Sequence, residues 1–371
     1  MTGPIVETYQ DLADLPADAD AVFSQAQQAG GMFLSRPWME NLAARGLAQP
    51  TSLRIYGVRD AASDKLALLL PLRQVGAGFG LRRLEALANW YSSLFGVVGA
   101  HDTVQEQRLR QLAQHIARES PRWHVLDLHP LDPADALFQP LLKALRGAGM
   151  ATQRYFCFVN WYLDVAGRSY DAYAATLPSR LKNTLKRRGR QLEKSGRAQF
   201  DIVTGGPALE AAIAAYETVY ARSWKSAEPT PDFMPELMRT CAANGWLRLG
   251  IATVDGAPAA AQLWIVCGGV ASIYKLAYDE HYASLSIGSL LTERLMRHVI
   301  DVDQVREVDY LTGDDAYKRD WMSHSRERCG IVAFNLRSLR GLLAAVAHIG
   351  GSRLKAALRR LRRSSPAPAP D

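Results

Sequence analysis

The segment YKLAYDEHYASLSIGSLLTERLMRHVI, residues 274–300, passes from a strand pattern through a short polar loop into a helix that opens on Ser286, Ile287, Gly288 and Ser289. A junction of this kind can hold an anion. The first backbone N–H groups of a helix have no partner within it, the helix dipole adds positive potential, and glycine lets a phosphate approach the chain. Glycine at such a junction also eases packing of the helix on its strand, so Gly288 suits either task. Downstream, REVDYLTG (306–313) reads as a strand, AYKRDWM as a short helix carrying Tyr317, and CGIVAF as a further strand. Proton acceptors flank the loop: Asp279 before it, His281 in it and Asp309 in the next strand. Asp279 also reads as a turn or cap residue, and Asp309 as half of an internal ion pair, with Lys318 as its partner.

Other chemistries find little support in the residues. The eight histidines form no HExxH or HxH pair, so no metal is expected, and no GxSxG elbow occurs. Cys157, Cys241, Cys267 and Cys329 stand far apart without a CxxC, which argues against a zinc ribbon or a disulfide scaffold and suits a reducing compartment. GAGFG at 76–80 imitates a phosphate loop, but no GK[ST] follows and the stretch falls where a turn out of a hairpin is expected. It reads as a turn.

The elements that position these residues appear twice. In the first half a helix, SRPWMENLAARG, precedes strands TSLRIYGV and KLALLLPLR and an aromatic segment, LANWYSSLFGVVG. A helix over about 104–118 follows, capped by His101, Asp102 and Thr103, then a strand WHVLDLHPL, a helix over about 133–147 and a strand YFCFVNWYLDV. In the second half, helices over about 209–225 and 231–243 precede LRLGIATV, a turn at Asp255 and Gly256, and AAAQLWIVC, before the loop segment described above. An Asp-Gly pair between two alternating apolar runs signals a hairpin. Two copies of one mixed α/β fold are therefore expected, joined near residues 164–170, with domains over 1–164 and 165–336 and a tail over 337–371. Only the second copy has a glycine-opened helix, so it is the half expected to bind a cofactor.

At 371 residues, with 48% hydrophobic and 22% charged residues, two globular domains are the natural reading. The N-terminus has no basic run before an apolar core, and no apolar stretch nears the ~18 residues of a spanning helix. A cytoplasmic protein is expected. Segment 331–371 carries Arg337, Arg340, Arg353, Lys355, Arg359, Arg360, Arg362 and Arg363 against Asp371 alone, a surplus of +7 that equals the net charge of the whole chain. The basic pI thus belongs to the tail and is no sign of a nucleic-acid groove across the body. Leu339, Leu342, Leu343, Val346 and Ile349, then Leu354, Leu358 and Leu361, recur at helical spacing among the arginines. Such a pair of basic amphipathic helices suits docking on the core, or contact with an anionic membrane at its inner face; SSPAPAPD reads as a disordered end. Between the halves, SRLKNTLKRRGRQLEKSGR sets eight basic residues, Lys186 and Arg187 among them, against Glu193, with an apolar stripe of Leu177, Leu181, Leu185 and Leu192. The basic face meets solvent or the phosphates of a ligand.

LPSRLKNTLKRRGRQLEKSG, Trp224 of YARSWKS, YDEHYASLSIGSLL and VDYLTGDDAYKRDW together resemble the GCN5-related N-acetyltransferase (GNAT) superfamily. The likeness is to its two-domain branch of cellulose-biosynthesis acetyltransferase-like and Fem-type proteins, and it covers most of residues 165–335. It implies two tandem GNAT-like acyl-CoA N-acyltransferase domains, the first degenerate. It also implies acetyl-CoA or another acyl-CoA as co-substrate, bound by Ser286, Ile287, Gly288, Ser289 and Lys318, and a small-molecule or glycan acceptor met by Trp224, Lys186 and Arg187. Tyr317 is then the acid that protonates the leaving thiolate, with Asp279 or Asp309 as the base. The reaction implied is N- or O-acyl transfer to a polysaccharide or cell-envelope precursor. Fem-type relatives accept an aminoacyl-tRNA, which keeps that transfer open here. A catalytically silent two-lobed scaffold of a polysaccharide synthase complex is the other reading left open.

Overall fold

The computed structural model describes residues 4–61, 63–77, 80–99 and 104–350. The expected cap at 101–103, the middle of the 76–80 turn and the tail from 351 on, with Leu354, Leu358, Leu361 and the final SSPAPAPD, lie outside them.

In the first half the chain forms β1 (Ile5–Tyr9), α1 (Ala19–Gly30), α2 (Arg36–Asn41), β2 (Ser52–Arg59), β3 (Leu66–Ala77), β4 (Leu81–Ala86) and β5 (Val98–Gly99). It continues with α3 (Gln105–Arg118), β6 (Val125–Leu131), α4 (Phe138–Gly147) and β7 (Met150–Asp164). The second half contains α5 (Tyr170–Thr176), α6 (Ser179–Ser195), β8 (Ala198–Val203), α7 (Leu209–Ala221), α8 (Phe233–Ala243), β9 (Leu247–Val254) and β10 (Ala257–Cys267). After these come β11 (Val270–Tyr278), α9 (Ile287–Arg297), β12 (Glu307–Thr312), α10 (Ala316–Trp321), β13 (His324–Asn335) and α11 (Leu339–Ala345). Local signals fix much of this. Asp255 and Gly256 both take positive φ, 50° and 79°, as a two-residue hairpin turn demands, and Val254 pairs with Ala257 across it. β3 and β4 pair as a second hairpin up to Ala77 and Leu81, with Gly76 inside β3.

All strands join one mixed sheet in the order β1-β2-β3-β4-β6-β13-β7-β12-β11-β10-β9-β8, with β5 beside β3. Each half contributes the same set: an antiparallel run, then a parallel pair, β4 with β6 and β11 with β12. The last strands are exchanged. β7 pairs with β12 of the second half, β13 pairs with β6 of the first, and β7 and β13 lie antiparallel from His324↔Tyr162 to Asn335↔Met150. The chain repeats near residue 164, yet the sheet runs through that point unbroken.

Apolar side chains sort onto the two faces. On one face α1 and α2 share a core with α7 and α8, where Trp38 meets Phe233 edge-on at 5.8 Å and Tyr91 stacks on Phe233 at 4.0 Å. On the other, the first half packs α3 and α4 in one cluster and the second packs α6 and α9 in another. α6 buries Leu185 and Leu192 and leaves its basic side outward, ending at Gly196 with φ 64°.

α11 departs from the expected docking. It sits on the sheet through Gly341 and Ala345, and a Cβ on Gly341 would meet the Asn335 carbonyl at 2.2 Å. The close approach that glycine permits turns the apolar stripe outward: Leu339 is 72% exposed, Leu343 60% and Val346 65%.

Candidate active site

β11 and β12 pair in parallel only from Val270↔Glu307 to Ser272↔Asp309. They part because β12 bulges. Its register against β7 shifts between Asp309 and Thr312, where Leu311 takes φ 56°, a conformation costly for a residue with a Cβ. Two side chains hold it there: Asp309 Oδ1 accepts from the Leu311 N–H at 2.6 Å, and Asn160 Nδ2 donates to the Leu311 carbonyl at 2.9 Å. Beyond Ser272, β11 is paired only with β10 among the described residues, so its open edge faces the gap between the strands.

Two cavities meet in that gap. The larger, about 630 Å³, is bounded by Tyr278, Trp224 and residues Ser286 to Ser289. The smaller, about 250 Å³, is bounded by Trp90, Lys225, Tyr274, Lys275 and Lys318. Leu276, Tyr310 and Tyr317 line both. Tyr317 packs edge-on against Tyr310 at 5.7 Å. Burial, and secondarily Asp315, pushes its phenol up to about 12, so it is a proton donor across the neutral range.

The helix opening has the form an anion needs. Ser286 turns the chain with φ 57°, and its carbonyl accepts from the Leu290 N–H at 3.1 Å, so α9 starts at Ile287 with its first N–H groups turned to the cavity end. Gly288 serves packing as well. Its missing Cβ would stand 3.3 Å from the Tyr278 ring, and its carbonyl receives Gln262 and Thr292 at 2.9 and 3.0 Å. Arg180, from the first turn of α6, also lines this cavity, 3.8 Å from Asp320.

The structure thus gathers Trp224, Ser286, Ile287, Gly288, Ser289 and Tyr317 around one cavity and places the other expected residues elsewhere. Asp279 caps the turn after β11: its carboxylate accepts from the His281 N–H at 3.0 Å, lies 3.7 Å from Arg222 and lines neither cavity. Asp309 faces a third cavity between the halves. It pairs with Arg326 at 2.6 Å rather than with Lys318, and it also accepts from Asn160 and Leu311, which leaves it no role as a base at the gap. Lys318 is buried, donates to the Thr312 carbonyl and lies 3.3 Å from Asp315; it lines the smaller cavity, away from the opening of α9. Lys186 and Arg187 are exposed on α6 outside both cavities, because the turn that reaches the cavity is the one with Arg180.

Residues 179–319, which supply the helix opening, the parted strands and Tyr317, match the family model of the acetyltransferase (GNAT) domain. The second half of the chain carries a GNAT acetyltransferase domain. No curated protein matches the chain. Among solved structures, FemX superposes with a TM-score of 0.63 at 9% identity, over 89% of this chain and 98% of that one. The C-terminal domain of a putative lysylphosphatidylglycerol synthetase from Agrobacterium fabrum superposes at 0.51 and 12% identity, over 89% and 97%. A conserved protein of unknown function from Bacteroides thetaiotaomicron does so at 0.51 and 10%, over 89% and 100%. At such identities the likeness is one of fold, and it extends over both halves of the chain.

The GNAT domain also holds functional groups that spacing did not reveal. Glu228 accepts from Lys275 at 2.6 Å and from the Tyr91 hydroxyl at 2.9 Å. Burial opposes its ionisation, but these donors prevail and hold it below the usual carboxylate range. Burial, then the nearby Lys275 and Lys318, bring Lys225 down to about 8, against the weaker pull of Glu228 and Asp315. The one signal for Lys225 was its place beside Trp224.

Proposed function

We propose that the protein is an acyl-CoA-dependent N- or O-acyltransferase whose thioester occupies the larger cavity and whose acceptor, a glycan or cell-envelope precursor, enters the smaller. The observation that carries this reading is the meeting of the two cavities at Tyr317 in the gap between β11 and β12. Phosphates of the co-substrate rest on the N–H groups of Ile287 to Ser289, beside Arg180. The thioester carbonyl lies along the open edge of β11, whose N–H groups are placed to receive the oxyanion. Attack by the acceptor forms the new C–N or C–O bond, and collapse expels the thiolate. Tyr317 gives its proton to the sulfur and recovers one from the acceptor, since it borders both cavities. Holding both reactants at one place supplies much of the acceleration.

Thermal stability in the presence of coenzyme A, acetyl-coenzyme A and longer acyl thioesters tests the reading. A ligand at ~100 times its Kd adds about 2.7 kcal/mol to the stability of the fold. A carboxylate at position 288 would stand where the phosphates bind, so Gly288→Asp should abolish the shift. Gly288→Ala, which asks Tyr278 to yield by only tenths of an ångström, should keep most of it. Absence of a shift with every thioester would refute the coenzyme A reading and turn the search to aminoacyl-tRNA donors.

A second proposal concerns location and rests on α11. No helix among the described residues is long and apolar enough to cross a membrane. The outward stripe of Leu339, Leu342, Leu343 and Val346 leads into a segment with six further basic residues, Arg353 to Arg363, and apolar and basic groups together suit an anionic lipid surface. The protein should sediment with vesicles of phosphatidylglycerol and phosphatidylcholine and not with phosphatidylcholine alone, and Leu339→Glu with Leu343→Glu should release it. Equal sedimentation of that double variant would overturn the assignment.

A further inference from the structure

We infer that the smaller cavity is built for an acceptor carrying an anionic group, a phosphate or a carboxylate, near its nucleophile. The inference rests on the acyltransferase reading and names the chemical class of its acceptor. Three ammonium groups from separate elements converge on this cavity: Lys225 after α7, Lys275 on β11 and Lys318 on α10. Two have carboxylate partners, Glu228 at 2.6 Å from Lys275 and Asp315 at 3.3 Å from Lys318. Lys225 has no carboxylate within 4.0 Å among the described residues. Its ammonium lies 5.9 Å from the Tyr220 ring and 5.8 Å from the Trp224 ring, close to the ~6 Å limit of a useful cation–π contact. The site thus holds one more cation than anions, in a recess where like charges repel strongly. A partly buried, unmatched lysine is a standing cost to the fold, and an anion seated there removes it with charge-assisted hydrogen bonds.

The other cavities show the contrast. In the cavity between the halves, Arg306, Arg326 and Arg328 face four carboxylates, Asp132, Asp135, Glu307 and Asp309, so cations are not in excess there. In the thioester cavity Arg180 stands near Asp320. At the rim of the lysine site Trp90 is 67% exposed, tilted on Tyr91 at 5.8 Å. It offers a flat apolar face to the body of the same ligand, as a sugar ring would use.

The charge of Lys225 sets a pH window. It faces Lys275 and Lys318, which favour loss of its proton, and Glu228 and Asp315, which favour its retention, beside the rings of Tyr220 and Trp224. In the free protein it is a cation below about 8 and neutral above, so anion affinity should be full near pH 7 and weaken toward pH 9.

The test is calorimetric titration of the full chain, with and without saturating coenzyme A, using glucosamine, glucosamine 6-phosphate and 2-amino-2-deoxyglucuronate as probes. At least one anionic probe should bind about tenfold or more tightly than glucosamine, a gap of roughly 1.4 kcal/mol, and which one does so identifies phosphate or carboxylate as the group recognised. Lys225→Met should erase the preference of the anionic probe over glucosamine and its pH dependence, and Lys225→Arg should keep the preference. Because Lys225 holds no ion pair, the methionine variant strands no charge, and its thermal stability should equal or exceed that of the wild type. Equal affinity for all three probes, or an undiminished preference in Lys225→Met, would overturn the inference. Failure of coenzyme A itself to bind would instead count against the acyltransferase reading, since titration without it still reports on the anion site.

Discussion

Replacing Arg326 with methionine should lower the unfolding free energy by about 3 kcal/mol or more, the range for removing one partner of a buried ion pair. Arg326 sits on β13, the exchanged strand, and reaches across the seam between the halves. It donates to Asn160 on β7 at 2.6 Å, to Glu307 on β12 at 2.7 and 3.2 Å and to Asp309 on β12 at 2.6 Å. Burial alone would disfavour its charge, but the two carboxylates outweigh that and raise its pKa further. Methionine keeps most of the apolar stem, so packing loss is small. What remains is a pair of carboxylates with little access to water, Asp309 having 8% of its side chain exposed and Glu307 19%. The exposed pair of Arg319 and Asp314 provides the comparison, and Arg319→Met should cost less than about 1 kcal/mol. Urea unfolding of both variants decides the matter, and equal midpoints would mean that the seam is not held by charge. Slower turnover in any Arg326→Met protein that folds would follow from the same contacts, because Asp309 and Asn160 also fix the Leu311 bulge that opens the gap.

How much of this could be read in the sequence depended on how local each cause is. The Asp-Gly hairpin and the loop into α9 were legible because a few adjacent residues dictate them. The strand exchange was not, since β7 and β13 each read as an ordinary closing strand and only contacts more than a hundred residues apart choose their partners. β13 was visible as CGIVAF, but it starts at His324, through the polar residues Ser325 to Glu327, which pair with β7 despite their composition. β4 and β8, LRRLEA and AQFDIV, were missed because arginine and acid interrupt their alternation. Residue type misled in another way at Asp279 and Asp309. Both are carboxylates near the site, but the backbone N–H groups two residues on, of His281 and Leu311, claim them as structural acceptors. The lysines of the smaller cavity left no pattern, since Lys225, Lys275 and Lys318 are separated by some forty to fifty residues each. Helical spacing found the stripe of α11 but not its direction, which the small residues Gly341 and Ala345 decided.

The largest kinetic effect is expected at Tyr317. If its phenol supplies the proton that the departing thiolate takes up, Tyr317→Phe should lower kcat by roughly 10²- to 10⁴-fold, the usual contribution of a positioned acid. A loss of 10²-fold corresponds to about 2.7 kcal/mol of transition-state stabilisation. The KM for the thioester should change little, because the ring, which makes the wall with Tyr310 and lines both cavities, is retained. The pH profile supplies the second readout. With the phenol pushed up to about 12 by burial and then by Asp315, Tyr317 keeps its proton from pH 6 to 10, so no decline in wild-type kcat over that span should trace to it. An aromatic residue that only separates the two cavities would give a different pattern, a kcat within threefold of wild type with KM again little changed, since phenylalanine keeps the wall. Single-turnover measurement at saturating acyl thioester, where binding and product release drop out, distinguishes the two, because only the acid changes the bond-breaking step itself.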